Sequence, residues 1–193
     1  MTEPRQRPII MSGESVRATI AGTKTQTRRV IHLRGFGPSS TPGYDWCFRD
    51  RRARWNDVST ERLLDHWCPF QIGQRLWVKE AFRLRLDQDD VPPSQDWWRA
   101  RPWYEADRTE EPSGCGGGMG KLRSPLFMPR WASRLLLEVT EVRAERVQDI
   151  SEEDARADRL NAKRGYPWEA HPYVWAVSYR VVEQAREQEV TRG

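Results

Sequence analysis

The segment Gly22-Thr23-Lys24-Thr25-Gln26-Thr27-Arg28-Arg29 sets one amine, two guanidinium groups and three hydroxyls within eight residues. Lys24 offers a cation for a phosphate or another anionic ligand group. Thr27 offers a hydroxyl, although its β-branched side chain equally suits a strand. Arg28 and Arg29 alternate across an extended chain, so one should face a pocket and the other solvent. A second group mixes charge with aromatic rings: Arg49, Arg51, Arg52 and Arg54 are punctuated by Trp46 and Trp55, and Trp97, Trp98 and Trp103 follow in another polar stretch. An indole in a polar loop can stack on a base while a neighbouring arginine holds the backbone, or it can pack as a lid.

Other chemistries find less support. His66 and Cys68 lie two apart, but a zinc site needs a second close ligand pair, which neither Cys47 nor Cys115 supplies. Three cysteines are an odd number, which argues against a disulfide framework and for a reducing compartment. The run Gly114-Cys115-Gly116-Gly117-Gly118-Met119-Gly120 follows no apolar strand and opens no obvious helix, so it is not a dinucleotide fingerprint. No serine-triad order, phosphate loop or metal-ligand spacing points to another enzyme class.

The elements that must position these groups follow from hydrophobic spacing. Ile9-Ile10-Met11 reads as a short strand, and Ser12 or Gly13 opens a helix from about Glu14 to Ala21, with Val16 and Ile20 on one apolar edge. Gly22 stands where a helix end favours positive φ, so Lys24 to Ile31 should emerge extended. From His32 to about Ser59 the pattern is lost among Gly, Pro, Ser and Arg, which predicts an exposed loop. Gly73-Gln74 turns into a strand from Arg75 to Phe82. Asp87 to Pro125 reads as irregular, with a brief strand around Trp103 to Ala106. Leu135 to Val142 is the clearest strand, with Arg143 to Val147 continuing or bending it. Ser151-Glu152-Glu153-Asp154 resembles a capping box that starts a helix to about Leu160. Tyr173 to Val182 supplies a last strand before a polar tail. Five or six strands and two helices without regular β-α alternation argue for an α+β fold, a small mixed or antiparallel barrel with flanking helices.

The chain has 193 residues, which suits one domain with loop insertions at about 35–65 and 87–125 and a polar tail at about 184–193. Ten tryptophans argue against a wholly disordered chain. No apolar run approaches the about 20 residues of a bilayer-spanning helix. The first eight residues lead into no apolar signal core, so a cytoplasmic protein with no secretory signal is expected. Residues 1 to 60 carry 11 Lys+Arg against 5 Asp+Glu, a balance of +6, while the remainder carries 21 against 23, a balance of −2. That asymmetry suggests a polyanionic partner near the N-terminal third, or simply a solvated basic face.

The segment Gly22 to Arg29, following a short amphipathic helix, resembles the G-x-K-x-x-x-R signature of ASCH domains, members of the PUA-like superfamily of small β-barrels. Cys68-Pro69-Phe70 and Gly73-Gln74-Arg75-Leu76-Trp77-Val78-Lys79-Glu80 are similar to the C-P-Y and G-D-R-L-W-V-R-E blocks of phage and prophage members, with Gln74 in place of the acidic turn residue. Met128-Pro129-Arg130-Trp131-Ala132-Ser133-Arg134 and Val147 to Ala155 are similar to later blocks. The resemblance covers about residues 8 to 34 and 66 to 183.

It implies a site at the signature that accepts RNA or a modified nucleobase or nucleoside, with no cofactor. Together with the loop tryptophans read above, the candidate ligand contacts are Gly22, Lys24, Arg28, Arg29, Trp46 and Trp55. One bacterial branch of the family hydrolyses N4-acetylcytidine. By that resemblance Lys24 would be base, Thr27 nucleophile and Asp158 the acid, one methylene shorter than the family's Glu. Glu152 and Glu153, earlier on the same predicted helix, are alternatives to Asp158. A third possibility is a phage accessory domain that binds a protein. Among the remaining candidates, Glu80 ends an apolar strand and is expected to pair with an arginine, and Trp77 and Trp175 are expected in the core.

Overall fold

The computed structural model describes residues 6–90, 92, 102–107, 118–146 and 172–184. In chain order the elements are β1 (Gln6–Ile10), α1 (Gly13–Ile20), β2 (Gln26–Val30), β3 (Arg34–Pro38), β4 (Trp46–Arg49), β5 (Trp55–Val58), α2 (Thr60–His66), β6 (Arg75–Lys79), β7 (Phe82–Arg83), β8 (Trp103–Tyr104), β9 (Leu135–Arg146) and β10 (Tyr173–Gln184). The fold is therefore mixed α+β, with ten strands and two α-helices among the described residues. No ladder among them closes the strands into a barrel.

Residue contacts group the chain into two compact units, one built on residues up to Thr23, Arg75–Glu138 and from Val181 on, the other on Lys24–Gln74 and Val139–Arg180. In the first, the strand order is β1-β6-β9-β10. Pairing is parallel between β1 and β6 and antiparallel between β6 and β9, with Leu76 opposite Leu137. Leu76 and Val78 are buried while Arg75, Trp77 and Lys79 are only half-buried, which gives β6 the period-2 pattern of a strand with one core face. Trp77 is thus less enclosed than expected, with the Lys79 ammonium 5.5 Å from its ring centroid. Phe82, Leu84, Met128 and Ala132 form a further apolar cluster, with Tyr104 and Trp131 packed on it.

Helix α1 starts as its sequence directs. The Ser12 hydroxyl accepts a hydrogen bond from the Ser15 amide at 3.2 Å, filling one of the orphan donors of the first turn. It stops at Gly22, whose φ of 73° lies in the left-handed region, while the Thr23 amide returns to the Ala18 carbonyl at 2.9 Å.

In the second unit the strand order is β9-β10-β2, and β10 pairs antiparallel with β2. A separate antiparallel sheet runs β3-β4-β5. This meander and α2 occupy most of the stretch 35–65 that the sequence reads as a loop, and that expectation is corrected here. Its strands are only four or five residues long. Each shows too little alternation to stand out, and their inward residues, Phe48 and Val58 foremost, are thinly spread. Helix α2 is capped twice: the Ser59 hydroxyl accepts from the Arg62 amide, and the Asp45 carboxylate accepts from the Thr60 amide at 2.7 Å and its hydroxyl at 2.9 Å. Those bonds hold the Asp45 carboxyl below the usual carboxylate range.

Parts of the second expected loop are also organised. Strand β8 pairs with β7, and bridges join Phe82 to Arg123 and Arg85 to Met119. Gly120 has no room for a side chain, since a Cβ there would lie 2.8 Å from the Leu84 carbonyl oxygen. The capping box at Ser151, the helix predicted after it, Cys115, Trp97 and Trp98 lie outside the described residues.

Candidate functional site

Three polar side chains of one segment are withdrawn from water: Lys24 is 7% exposed, Thr27 3% and Arg28 5%. The Gly22 turn redirects the chain, and the Tyr179 amide bonds the Thr25 carbonyl at 2.9 Å to start the ladder that fixes β2 against β10. Thr27 then stands opposite Val177, Arg28 opposite Ala176 and Arg29 opposite Trp175. Trp175 is buried, as the sequence suggests. Thr27 and Arg28 are adjacent and so point to opposite faces of the strand, which means that both faces are covered.

Of the two arginines, Arg28 is the enclosed one. Its Nε donates to Glu145 Oε1 at 2.9 Å and a terminal nitrogen donates to Gln26 Oε1 at 3.3 Å. Glu145 also lies 3.7 Å from Arg143. Glu145 and Gln26 were not candidates from the sequence. The period-2 recurrence of Glu141, Arg143 and Glu145 along β9 is the signal for Glu145, and Gln26 is marked only by its place within the Gly22–Arg29 segment. Arg29 is half-buried, with a guanidinium nitrogen 3.4 Å from the Arg28 carbonyl oxygen.

Trp46 and Trp55, paired in the sequence reading, have different surroundings. Trp46 stacks on Phe36 with centroids 5.0 Å apart and meets Tyr173 edge-on at 5.6 Å, while its Nε1 donates to the Thr60 hydroxyl at 3.0 Å. Arg146 Nε donates to the Tyr173 hydroxyl at 2.7 Å. Trp46 is thus committed to packing. Trp55 is 55% exposed, and the guanidinium carbon of Arg49 lies 4.7 Å from its ring centroid.

The first unit holds an ionic cluster around the buried Glu80. Arg134 donates from Nε and a terminal nitrogen to the two oxygens of Glu80, at 2.9 and 3.0 Å, and reaches Asp107 Oδ1 at 2.8 Å. Its remaining terminal nitrogen bonds Asp107 Oδ2, and its guanidinium carbon sits 4.0 Å from the Tyr104 centroid. Burial pushes the Glu80 carboxyl above its ordinary value, with Arg134 opposing and Asp107 adding to the rise. Glu80 thus has the arginine partner expected of it.

Searches against protein families, curated proteins and solved structures find no match. The site is read from its own groups. Among the described residues no set of three or more His, Cys, Asp or Glu side chains could hold a metal, and no helix is long and apolar enough to cross a membrane. Gly22 contributes its turn, Lys24 and Thr27 contribute a buried cation and hydroxyl three residues apart in sequence, and Arg28 fixes the strand through Glu145. Asp158 lies outside the described residues.

Proposed function

We propose that this chain is a nucleic-acid-binding module of the ASCH and PUA-like kind, taking RNA or a modified nucleobase or nucleoside at the segment from Gly22 to Arg29, with Lys24 as cationic contact. On this reading the mixed sheet belongs to a small barrel, and the protein works in the cytoplasm. One observation carries the reading: Lys24 at 7% exposure and Thr27 at 3% are each enclosed immediately after a glycine turn. Lysines are almost never enclosed unless paired, so the Lys24 charge is held at a defined place beside the turn. The test is calorimetric binding of cytidine nucleosides and short RNA to wild type and Lys24→Met, which keeps most of the aliphatic stem. Loss of about ten-fold or more in affinity, with an unchanged melting temperature, is expected. RNA binding that does not weaken between low and high salt would count against it.

A second reading is hydrolysis of the N4-acyl amide of N4-acetylcytidine-type nucleosides. It is favoured by the burial of Lys24 and Thr27 alike, because an amine base and a hydroxyl nucleophile act best away from bulk water. Lys24 would take the Thr27 proton as its oxygen attacks the acyl carbon, and protonated Asp158 would protonate the departing N4 amine. Water would then cleave the acyl-Thr27 ester, releasing the carboxylic acid and restoring the hydroxyl, while Lys24 returns its proton to Asp158. Arg28, bound to Glu145, leaves the oxyanion to backbone amides. Thr27→Val keeps the strand-forming shape and removes the nucleophile. Turnover that survives in Thr27→Val would eliminate this reading.

A further inference from the structure

We propose that the outer face of the meander β3–β5 is a docking surface for single-stranded nucleic acid, on which the Trp55 indole stacks an unpaired base and Arg34, Arg51 and Arg52 contact phosphates. The proposal rests on the nucleic-acid reading above and specifies the form of polymer and a second set of residues that take it.

The placement follows from register. Arg34 pairs with Arg49 and Arg49 with Trp55, so the three side chains form one row across three strands on a single face. The opposite face holds Phe48 and Val58, 2% and 3% exposed, so it is the inner one and the row faces solvent. A ring 55% exposed contributes little to packing. Its environment nevertheless fixes it. Arg49 lies over it at 4.7 Å, and Gly35, with φ 63°, leaves room for the ring edge, since a Cβ there would meet Trp55 Cη2 at 3.2 Å.

The turn beside the row is ordered by Asp50. Its carboxylate accepts from the Arg52 amide at 2.8 Å and from the Arg54 amide and Nε at 3.0 and 3.1 Å. That consumes the charge of Arg54, whereas the exposed guanidinium groups of Arg34, Arg51 and Arg52 have no partner among the described residues. The nearby Asp57 is occupied by the hydroxyls of Ser39 and Thr41. An ordered cationic rim around an exposed indole suits a strand of bases linked by phosphates, and a duplex hides the base faces that the indole needs.

The test is fluorescence anisotropy with a labelled oligouridine, the oligothymidine of equal length and an RNA duplex, against wild type, Trp55→Ala, the double variant Arg51→Ala/Arg52→Ala and Lys24→Met. Trp55→Ala should weaken oligouridine binding by about ten-fold. The double arginine variant should flatten the logarithmic salt dependence by about 1.4. Comparable binding of oligouridine and oligothymidine assigns the surface to base faces and phosphates, and preference for oligouridine adds a contact to the 2′-hydroxyl; both support the proposal. It is overturned if wild type prefers the duplex, if wild type fails to bind either single strand at low salt, or if both meander variants bind as wild type does. Loss in Lys24→Met alone would keep the Gly22–Arg29 reading and remove this surface. Loss confined to the meander variants would do the reverse.

Discussion

Arg134 and Arg49 each place a guanidinium carbon over an aromatic ring, 4.0 Å from the Tyr104 centroid and 4.7 Å from that of Trp55, but their donors differ in what remains to be used. Arg134 is 11% exposed, and its three nitrogens are consumed by Glu80 and Asp107. Arg49 is exposed on a ring that is itself more than half exposed, and among the described residues no carboxylate engages it. The same contact is therefore a clamp in one unit and a surface with spare capacity in the other. Chemistry of recognition belongs to the second kind, because a saturated donor cannot bind a partner without first losing another.

Breaking the clamp should give the largest effect. Arg134→Ala leaves Glu80, 1% exposed, without its countercharge, and removal of one member of a buried pair costs about 3–5 kcal/mol. Urea titration of wild type and variant measures it, and a loss below about 1 kcal/mol would mean that the cluster is solvated in solution. The pH dependence has a definite sign. The Glu80 carboxyl is raised above its ordinary 4.5 by burial, against Arg134 and with help from Asp107, so the folded state holds that proton more tightly than the unfolded chain. Its contribution to stability is therefore complete below about pH 4.5 and declines as pH rises through the folded value. Glu80→Gln should remove that decline, which urea midpoints across pH would show.

How far the sequence revealed these two regions depended on how local their signals are. Ser12, Val16, Ile20 and Gly22 announce α1 and its end within a few residues, and the alternation of Leu135, Leu137 and Val139 announces β9. Glu80 at the end of an apolar strand already implied an arginine partner, but that the partner was Arg134, with Asp107 behind it, depends on pairings distant in sequence. The meander was hidden because three short strands share a handful of apolar residues, so Arg49 and Trp55 looked like loop residues instead of cross-strand partners. Within Gly22 to Arg29, the turn and the extended chain were legible. The burial of Lys24 and Thr27 and the capture of Arg28 by Glu145 were not, because they arise from strands paired across more than a hundred residues. Arg28, a candidate ligand contact in the sequence, has its guanidinium engaged by Glu145 and Gln26 in the structure.

Intermediate effects should separate the two rings. The Tyr104 hydroxyl donates to the Ala132 carbonyl at 3.0 Å, so Tyr104→Phe should cost about 1 kcal/mol of stability while leaving any nucleic-acid affinity unchanged. Trp55→Ala should do the opposite, costing no more than about 1 kcal/mol for its cation contact while removing the stacking surface. Thermal melts and oligouridine binding on the same preparations make the comparison direct. If Trp55→Ala destabilised the chain by as much as Arg134→Ala does, the exposed ring would be a structural element and the contrast between the two arginines would fail.

The smallest effect concerns the turn that carries Arg51 and Arg52. Ala53 has φ 60°, in the left-handed region that costs a residue with a Cβ about 1–2 kcal/mol, and its amide donates to the Asp50 carbonyl at 3.0 Å. Ala53→Gly relieves that strain but enlarges the unfolded ensemble, a penalty of about 0.4–1 kcal/mol, so a net gain between zero and about 1.6 kcal/mol is expected. Because the Asp50 carboxylate, not Ala53, holds the Arg52 and Arg54 amides, the variant should bind oligouridine as wild type does. Those same bonds keep the Asp50 carboxyl below its ordinary value of 3.8, opposite in direction to Glu80, so their contribution is full above that pH and is lost as the pH falls below it. A binding loss in Ala53→Gly with stability gained would show that the left-handed alanine itself presets the arginines for phosphate, which would move the origin of the turn's order from the carboxylate to the backbone.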